Sequence, residues 1–223
     1  MSSGQATQAT QATQTSQTRA TRSRANTRAR LLDAAAEVFV AHGIEGASVD
    51  ELVAAAGFTR GAFYSNFSSM NEVFQDFFTV VVREILTAVS DAVAAMPADE
   101  IDIESILGVL DSIPHSDRNT YVLTRELELF ALRDEDAAAV YSQYLDTLYE
   151  YLDPIVTAAL TRLGRRPTLP VRELSHALVA LYIDSLSREV HGEDAATVRR
   201  SRTSVFKTIV LAASEPVEPG TPA

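Results

Sequence analysis

The stretch from Ser48 to Phe67, SVDELVAAAGFTRGAFYSNF, limits what this chain can fold into more than any other. Ser48 and Glu51 stand in S-x-x-E relation, so a helix is predicted to start at Val49, each side chain closing on the other's backbone N–H. Gly57 follows Leu52-Val53-Ala54-Ala55-Ala56, where a left-handed residue is wanted to end the helix. Thr59 can cap a second helix, Arg60 to Asn66. Its Phe63 is available to face inward, with Arg60, Gly61, Tyr64, Ser65 and Asn66 available to face outward. Small residues at Ala55, Ala56, Gly57 and Ala62 let the two helices cross closely. Two short helices joined in this way form a helix-turn-helix, and the second has the width of a DNA major groove.

The flanks extend the pattern. Ahead of it, Leu31, Leu32, Ala35, Val38 and Phe39 recur at helical spacing from a cap at Asn26 or Thr27, and Gly43 stops that helix. Behind it, Ser69 and Glu72 repeat the S-x-x-E start. Val73, Phe74, Phe77, Phe78, Val81, Ile85 and Val89 then carry a long helix to Pro97. The ordered set TRARLLDAAAEVFVAHG, SVDELVAAAG, FTRGAFYSNF and SSMNEVF resembles the N-terminal domain of the tetracycline-repressor (TetR) family of bacterial transcriptional regulators. The likeness covers about a quarter of the chain; the rest matches the family in length and helical character.

Net charge is −11, which sits poorly with a DNA binder until its distribution is considered. Residues 1–66 carry about +1 and residues 67–223 carry −12, so an acidic body would repel the duplex and favour one docking orientation. Residues 1–25 are low in complexity, with QAT three times and no apolar periodicity, and read as a disordered basic arm. Arg19, Arg22, Arg24 and Arg28 lie in an acid-free stretch. They suit either phosphate and minor-groove contact or a solvated tail. The stretch lacks the large apolar residues of a transit peptide or secretory signal. No apolar run reaches membrane-span length, and there is no cysteine for a disulfide or thiolate site.

Beyond the head, helical patterns are predicted over 102–113, 117–132, 134–163 (with Pro154 to kink or split it), 170–190 and 195–213. No convincing strand appears. The fold class is therefore all-α. The expected division is an arm at 1–25, a DNA-binding domain at 26–72, a helical effector-binding and dimerisation domain at 73–213, and a loose tail at 214–223.

Ser48, at a helix start, can offer its hydroxyl and N–H to a phosphate. Arg60 is the best base reader, since its fork matches two acceptors on guanine, and Gly61 permits close approach. The resemblance adds Thr59 and Tyr64 as phosphate contacts and sets Arg60, Gly61, Ala62 and Ser65 towards the groove. Arg28 and Asn66 complete the candidate set. Two departures from the family stand out: Met70 replaces a phosphate-contacting Lys, and Asn66 replaces a His.

The resemblance also implies a homodimer through the last two helices, with Leu174, Leu178, Leu181, Val198, Val205 and Ile209 as interface candidates. A two-fold dimer implies a pseudo-palindromic double-stranded DNA operator. An effector pocket in the body would draw on Phe74, Phe78, Tyr121, Phe130, Tyr141, Tyr144 and Tyr182, with Glu126 and His176 as polar members.

No G-x-S-x-G, P-loop or G-x-G-x-x-G is present, and Glu173/His176 forms one E-x-x-H where a di-iron bundle needs two. No catalytic residue, cofactor or metal is expected. The expectation is a cytoplasmic, nucleoid-associated, ligand-responsive regulator, most simply a repressor, with a protein–protein adaptor or a helical-bundle enzyme as rivals.

Overall fold

The computed structural model describes residues 24–97, 101–110 and 118–217. The expected arm, apart from its last two residues, and the end of the tail lie outside them. The chain divides into two compact units, one ending at Phe77 and the other starting at Phe78.

The first unit holds α1 (24–42), α2 (Val49–Ala56), α3 (Arg60–Tyr64) and the first turns of α4 (Met70–Ala95). α1 is already helical at residue 24, ahead of the expected cap. It buries Leu31, Ala35, Val38 and Phe39 on one stripe. Gly43, at φ 74°, donates its N–H to the Phe39 carbonyl and ends the helix. α2 begins with both halves of the Ser48/Glu51 box and ends at left-handed Gly57, φ 69°. There the Phe58 N–H returns to Val53 and the Gly57 N–H to Ala54, so the last carbonyls are met. Phe63 and Phe67 anchor α3 and are almost fully buried. Phe39 packs on Phe74 at 4.8 Å between ring centroids and edge-on to Phe77 at 5.3 Å.

The start of α4 differs from the expected box. Ser69 does cap it, its hydroxyl accepting from the Glu72 N–H at 3.3 Å. The Glu72 carboxylate instead accepts from the N–H and hydroxyl of Ser68, at 2.7 and 2.9 Å, one residue further back.

The second unit comprises the rest of α4, then α5 (Ile103–Leu110), α6 (Arg118–Ala131), α7 (Glu135–Arg162), α8 (Val171–Val190) and α9 (Ala195–Ala212). Asp134 caps α7 and Asp194 caps α9, each carboxylate accepting at 2.8 Å from the N–H three residues on. α7 passes Pro154 as one helix rather than two. Near its end, the Arg162 guanidinium donates to the carbonyls of Val93 and Met96, meeting last-turn acceptors of α4, which has no basic residue there. Ile103, Leu107, Val156, Leu160, Leu174, Phe206 and Val210 form the main buried cluster.

The expectation of no strand needs a small correction. β1 (Arg165–Pro167) pairs antiparallel with β2 (Ser214–Pro216), with Arg166 opposite Glu215. Arg165 locks the pair through the Ser214 hydroxyl and carbonyl, at 2.8 and 2.6 Å. The connection between α7 and α8 and the start of the expected loose tail thus tie together the two ends of the α8–α9 hairpin. The fold remains all-α in class.

Candidate nucleic-acid interface and effector cavity

Ser48, Thr59, Arg60, Gly61, Tyr64 and Ser65 are all exposed, and Ala62 is half-buried. Thr59 caps α3, accepting from the Ala62 N–H at 3.2 Å. Tyr64 is 58% exposed and rests edge-on against buried Phe63, 5.1 Å between centroids, so its phenol is presented on a fixed base. Gly61 has no internal reason to be glycine: its φ is ordinary, and an added Cβ would meet only the Thr59 hydroxyl, at 3.7 Å. Gly46 is the contrast, since a Cβ there would lie 2.3 Å from the His42 carbonyl oxygen. The bare surface at Gly61 is therefore available for a close external approach.

Three candidates are placed otherwise than expected. Asn66 is buried; its amide donates to the Ala62 carbonyl at 2.7 Å, which turns it away from any duplex. Arg28 is held within the unit. Its guanidinium meets Glu72 at 2.8 Å and Asp76 at 2.7 Å, donates to the Asn66 carbonyl, and lies 4.1 Å from the Phe67 ring centre. A cation spent on two carboxylates is a staple of the head rather than a phosphate contact. The Ser68 N–H, and then the Arg28 pair, pull Glu72 down to about 2. Ser48 remains on the surface, but its hydroxyl donates to Glu51 at 2.8 Å and its N–H does so at 3.0 Å. Its donors are engaged, and Glu51 is held below the usual carboxylate range chiefly by that serine.

Arg60 is 62% exposed in its side chain, and its Nε lies 2.9 Å from Asp50 Oδ1 at the start of α2. The ends of both helices thus meet on one face. Sequence reasoning missed Asp50; the i to i+10 separation across the turn was the available signal. Met70 is half-buried at the start of α4.

The second unit encloses a cavity of about 230 Å³ lined by all six of its helices. Of the pocket candidates, Phe78, Tyr121, Tyr144 and Tyr182 line it. Phe74, Glu126, Phe130, Tyr141 and His176 do not. Phe74 packs on Phe39 in the first unit, Tyr141 stacks outside on Tyr144, and exposed His176 lies against Tyr149. Most of the wall is aliphatic, including Val82, Ile85 and Val89 of α4 and Leu148 and Ile155 of α7, and among the described residues no lining side chain is charged. The polar atoms come from Thr120, Thr124 and the tyrosines. Burial pushes the Tyr144 phenol up to about 12, against a hydrogen bond with Thr124 that lowers it.

The interface candidates also divide. Leu174 and Val198 are fully inside the core, Leu178 lines the cavity, and Leu181 and Ile209 pack against the buried cluster. Leu178, Leu181 and Ile209 are half-buried, and Val205, 41% exposed, is the most exposed of the six.

Residues 31–77 match the family model described as bacterial regulatory proteins, tetR family. Over this segment the chain is similar to the tetR family. It is 51% identical over 49 residues to the HTH-type transcriptional regulator SrpR of Pseudomonas putida, an alignment covering 22% of this chain and 23% of SrpR. The chain thus spans about a quarter of that relative's length. Over 177 residues it is 27% identical to the HTH-type transcriptional repressor AcnR of Corynebacterium diphtheriae, covering 78% of this chain and 86% of AcnR. Its fold is similar to that of the transcriptional regulator FadR from Bacillus subtilis, solved in complex with stearoyl-CoA. There the TM-score is 0.58 at 17% identity, covering 79% of this chain and 96% of FadR. The tetR-family match ends at Phe77, where the first compact unit ends.

Proposed function

We propose that this chain is a tetR-family DNA-binding transcriptional regulator of the cytoplasm that docks α3 in the major groove and answers to an apolar effector. The observation that carries the reading is the α3 face. Arg60, Gly61, Tyr64 and Ser65 stand exposed together, and Gly61 is bare where nothing inside the protein requires it. Thr59 and Tyr64 would take phosphates and Arg60 a base edge, as the resemblance implies. Dimerisation would use the outward faces of α8 and α9, with exposed Ala177, Ala180, Val205 and Leu211 beside half-buried Leu178, Leu181 and Ile209, and without buried Leu174 and Val198. A two-fold dimer would read a pseudo-palindromic operator.

The effector would occupy the cavity of the second unit. Its mostly aliphatic wall, uncharged among the described residues, favours a neutral ligand with a large apolar part and a small hydrogen-bonding group near Thr124 and Tyr144. FadR's stearoyl-CoA supports an effector with an extended hydrocarbon portion. The chain would repress while unliganded, and release follows if the effector prefers a packing that holds the recognition helices off operator spacing, limited by its differential affinity.

Fluorescence anisotropy on DNA from upstream of the chain's own gene, across a salt series, tests the reading. Arg60→Ala and Tyr64→Ala should both weaken binding. A folded dimer that selects no sequence from random DNA would rule it out.

A further inference from the structure

Arg60 and Asp50 form an ion pair that stability does not explain. Both side chains are more than 60% exposed, and exposed pairs add little to a fold. Nor does α2 need Asp50 as its N-terminal acid, because Glu51 already supplies the first turn and completes the capping box. An acid on a face that approaches phosphates should weaken docking. Its presence beside the base reader calls for a role that offsets this.

We propose that Asp50 is a positioning residue for sequence reading, holding the Arg60 guanidinium by its Nε so that the far end of the fork is presented to a guanine edge. The proposal rests on the reading of α3 as the recognition helix. The chemistry follows from the guanidinium itself. It is planar and carries five N–H donors, and a carboxylate at Nε leaves the terminal amino groups with donors to spare. Those terminal donors are spaced for guanine O6 and N7. A long, exposed arginine otherwise spreads over many rotamers, and ordering it on binding costs entropy. A carboxylate 2.9 Å away restricts the fork before DNA arrives. The same negative charge penalises alternatives in which Arg60 turns aside to a phosphate, because Asp50 would then face that phosphate unpaired. Asp50 would thus lower affinity for DNA in general while raising discrimination at one base pair.

The test uses the full-length protein. A binding sequence is selected from random DNA with the wild type. Affinities are then measured for that sequence, for each single-base change and for random DNA, with wild type, Asp50→Ala, Arg60→Ala and the double variant. Thermal melting checks that each is folded. Arg60→Ala should flatten the preference at one position of each half-site. Asp50→Ala should lose discrimination at that same position, by roughly three- to tenfold, while binding random DNA as tightly as wild type or more so. In the Arg60→Ala background, Asp50→Ala should change discrimination no further. Unchanged discrimination in Asp50→Ala would overturn the proposal and leave α3 as the reader. Sharper discrimination would also overturn it, making Asp50 a lock on Arg60. A wild type that selects no sequence would overturn the DNA-binding reading and this inference with it.

Discussion

The two units use apolar residues in opposite ways. In the first, Leu31, Phe39, Leu52, Phe63 and Phe67 close on one another almost completely, and the exposed α3 face stands on them. In the second, a comparable wealth of Val, Leu and Ile encloses about 230 Å³ of space. A close-packed head suits a surface whose donors must hold fixed positions against DNA, because a small displacement would lose the register of base contacts. A body with a neutral cavity suits two packings of similar energy, between which a ligand can choose. The expected division of labour is that mutations in the head abolish reading, whereas mutations in the cavity abolish response.

The largest effect should come from breaking the head's packing. Phe63→Ala removes a ring with no exposure and should cost about 3–5 kcal/mol. Calorimetry or denaturant unfolding should show the first unit lost at a lower temperature or denaturant concentration, and DNA binding lost with it. Leu148→Ala, on the cavity wall, should cost less, because the space it opens adjoins a cavity already present. Equal costs would mean that the body is packed as tightly as the head.

Next in size is the α3 surface itself. Arg60→Ala should weaken operator binding by about 1–3 kcal/mol and relax specificity at one position, with little change in melting temperature. Tyr64→Ala should weaken binding to all sequences more evenly, as expected of a phosphate contact. The cavity variant that complements them is Val82→Phe, which places a larger side chain into the space. It should leave operator binding intact and abolish release by apolar compounds, read by anisotropy with and without compound. Release that persists would put the effector elsewhere.

The contrast between the units also explains how much could be read from the sequence. The head is written in local chemistry. The Ser48/Glu51 box, left-handed Gly57 and the Thr59 cap all act within a few residues, so the helix limits and the α3 face were legible. The errors there came from side chains that choose partners far along the chain. Arg28 finds Glu72 and Asp76 more than forty residues away, and Glu72 reaches back to Ser68 rather than Ser69. In the body, the expected pocket residues are aromatic and polar, whereas the cavity wall is mostly aliphatic and indistinguishable from a core stripe by spacing alone. The clue was breadth: α4 carries Val80, Val81 and Val82 in succession, more than one buried stripe needs. Leu174 and Val198 fit a helical stripe equally well as core or as interface, and only the packing shows that they face inward. The β1–β2 pair was invisible because each strand is three residues long and ends in proline.

The smallest effect should come from the Arg28 staple, and it separates the two units by pH. Glu72 is drawn down to about 2, from an ordinary value of 4.5, by the Ser68 N–H first and by Arg28 second. A carboxylate held low in the folded state stabilises the fold when ionised in both states, so its contribution is complete above about pH 5. As pH falls from there towards 2, the unfolded chain takes up the proton first, and the contribution is progressively lost. Glu72→Gln removes the charge at every pH. Its melting temperature should lie below wild type by a few degrees at neutral pH, about 4 °C at most given the partial exposure of the pair. That gap should close between about pH 4.5 and 2, because the two proteins become alike once Glu72 is protonated. Arg28→Ala should remove part of the gap and leave the Ser68 part. If the gap were constant with pH, the stabilisation would come from the shape of the side chain rather than from its charge. If Arg28→Ala matched Glu72→Gln in full, the arginine rather than the serine would hold the carboxylate down, and the start of α4 would depend on α1 more than its own cap suggests.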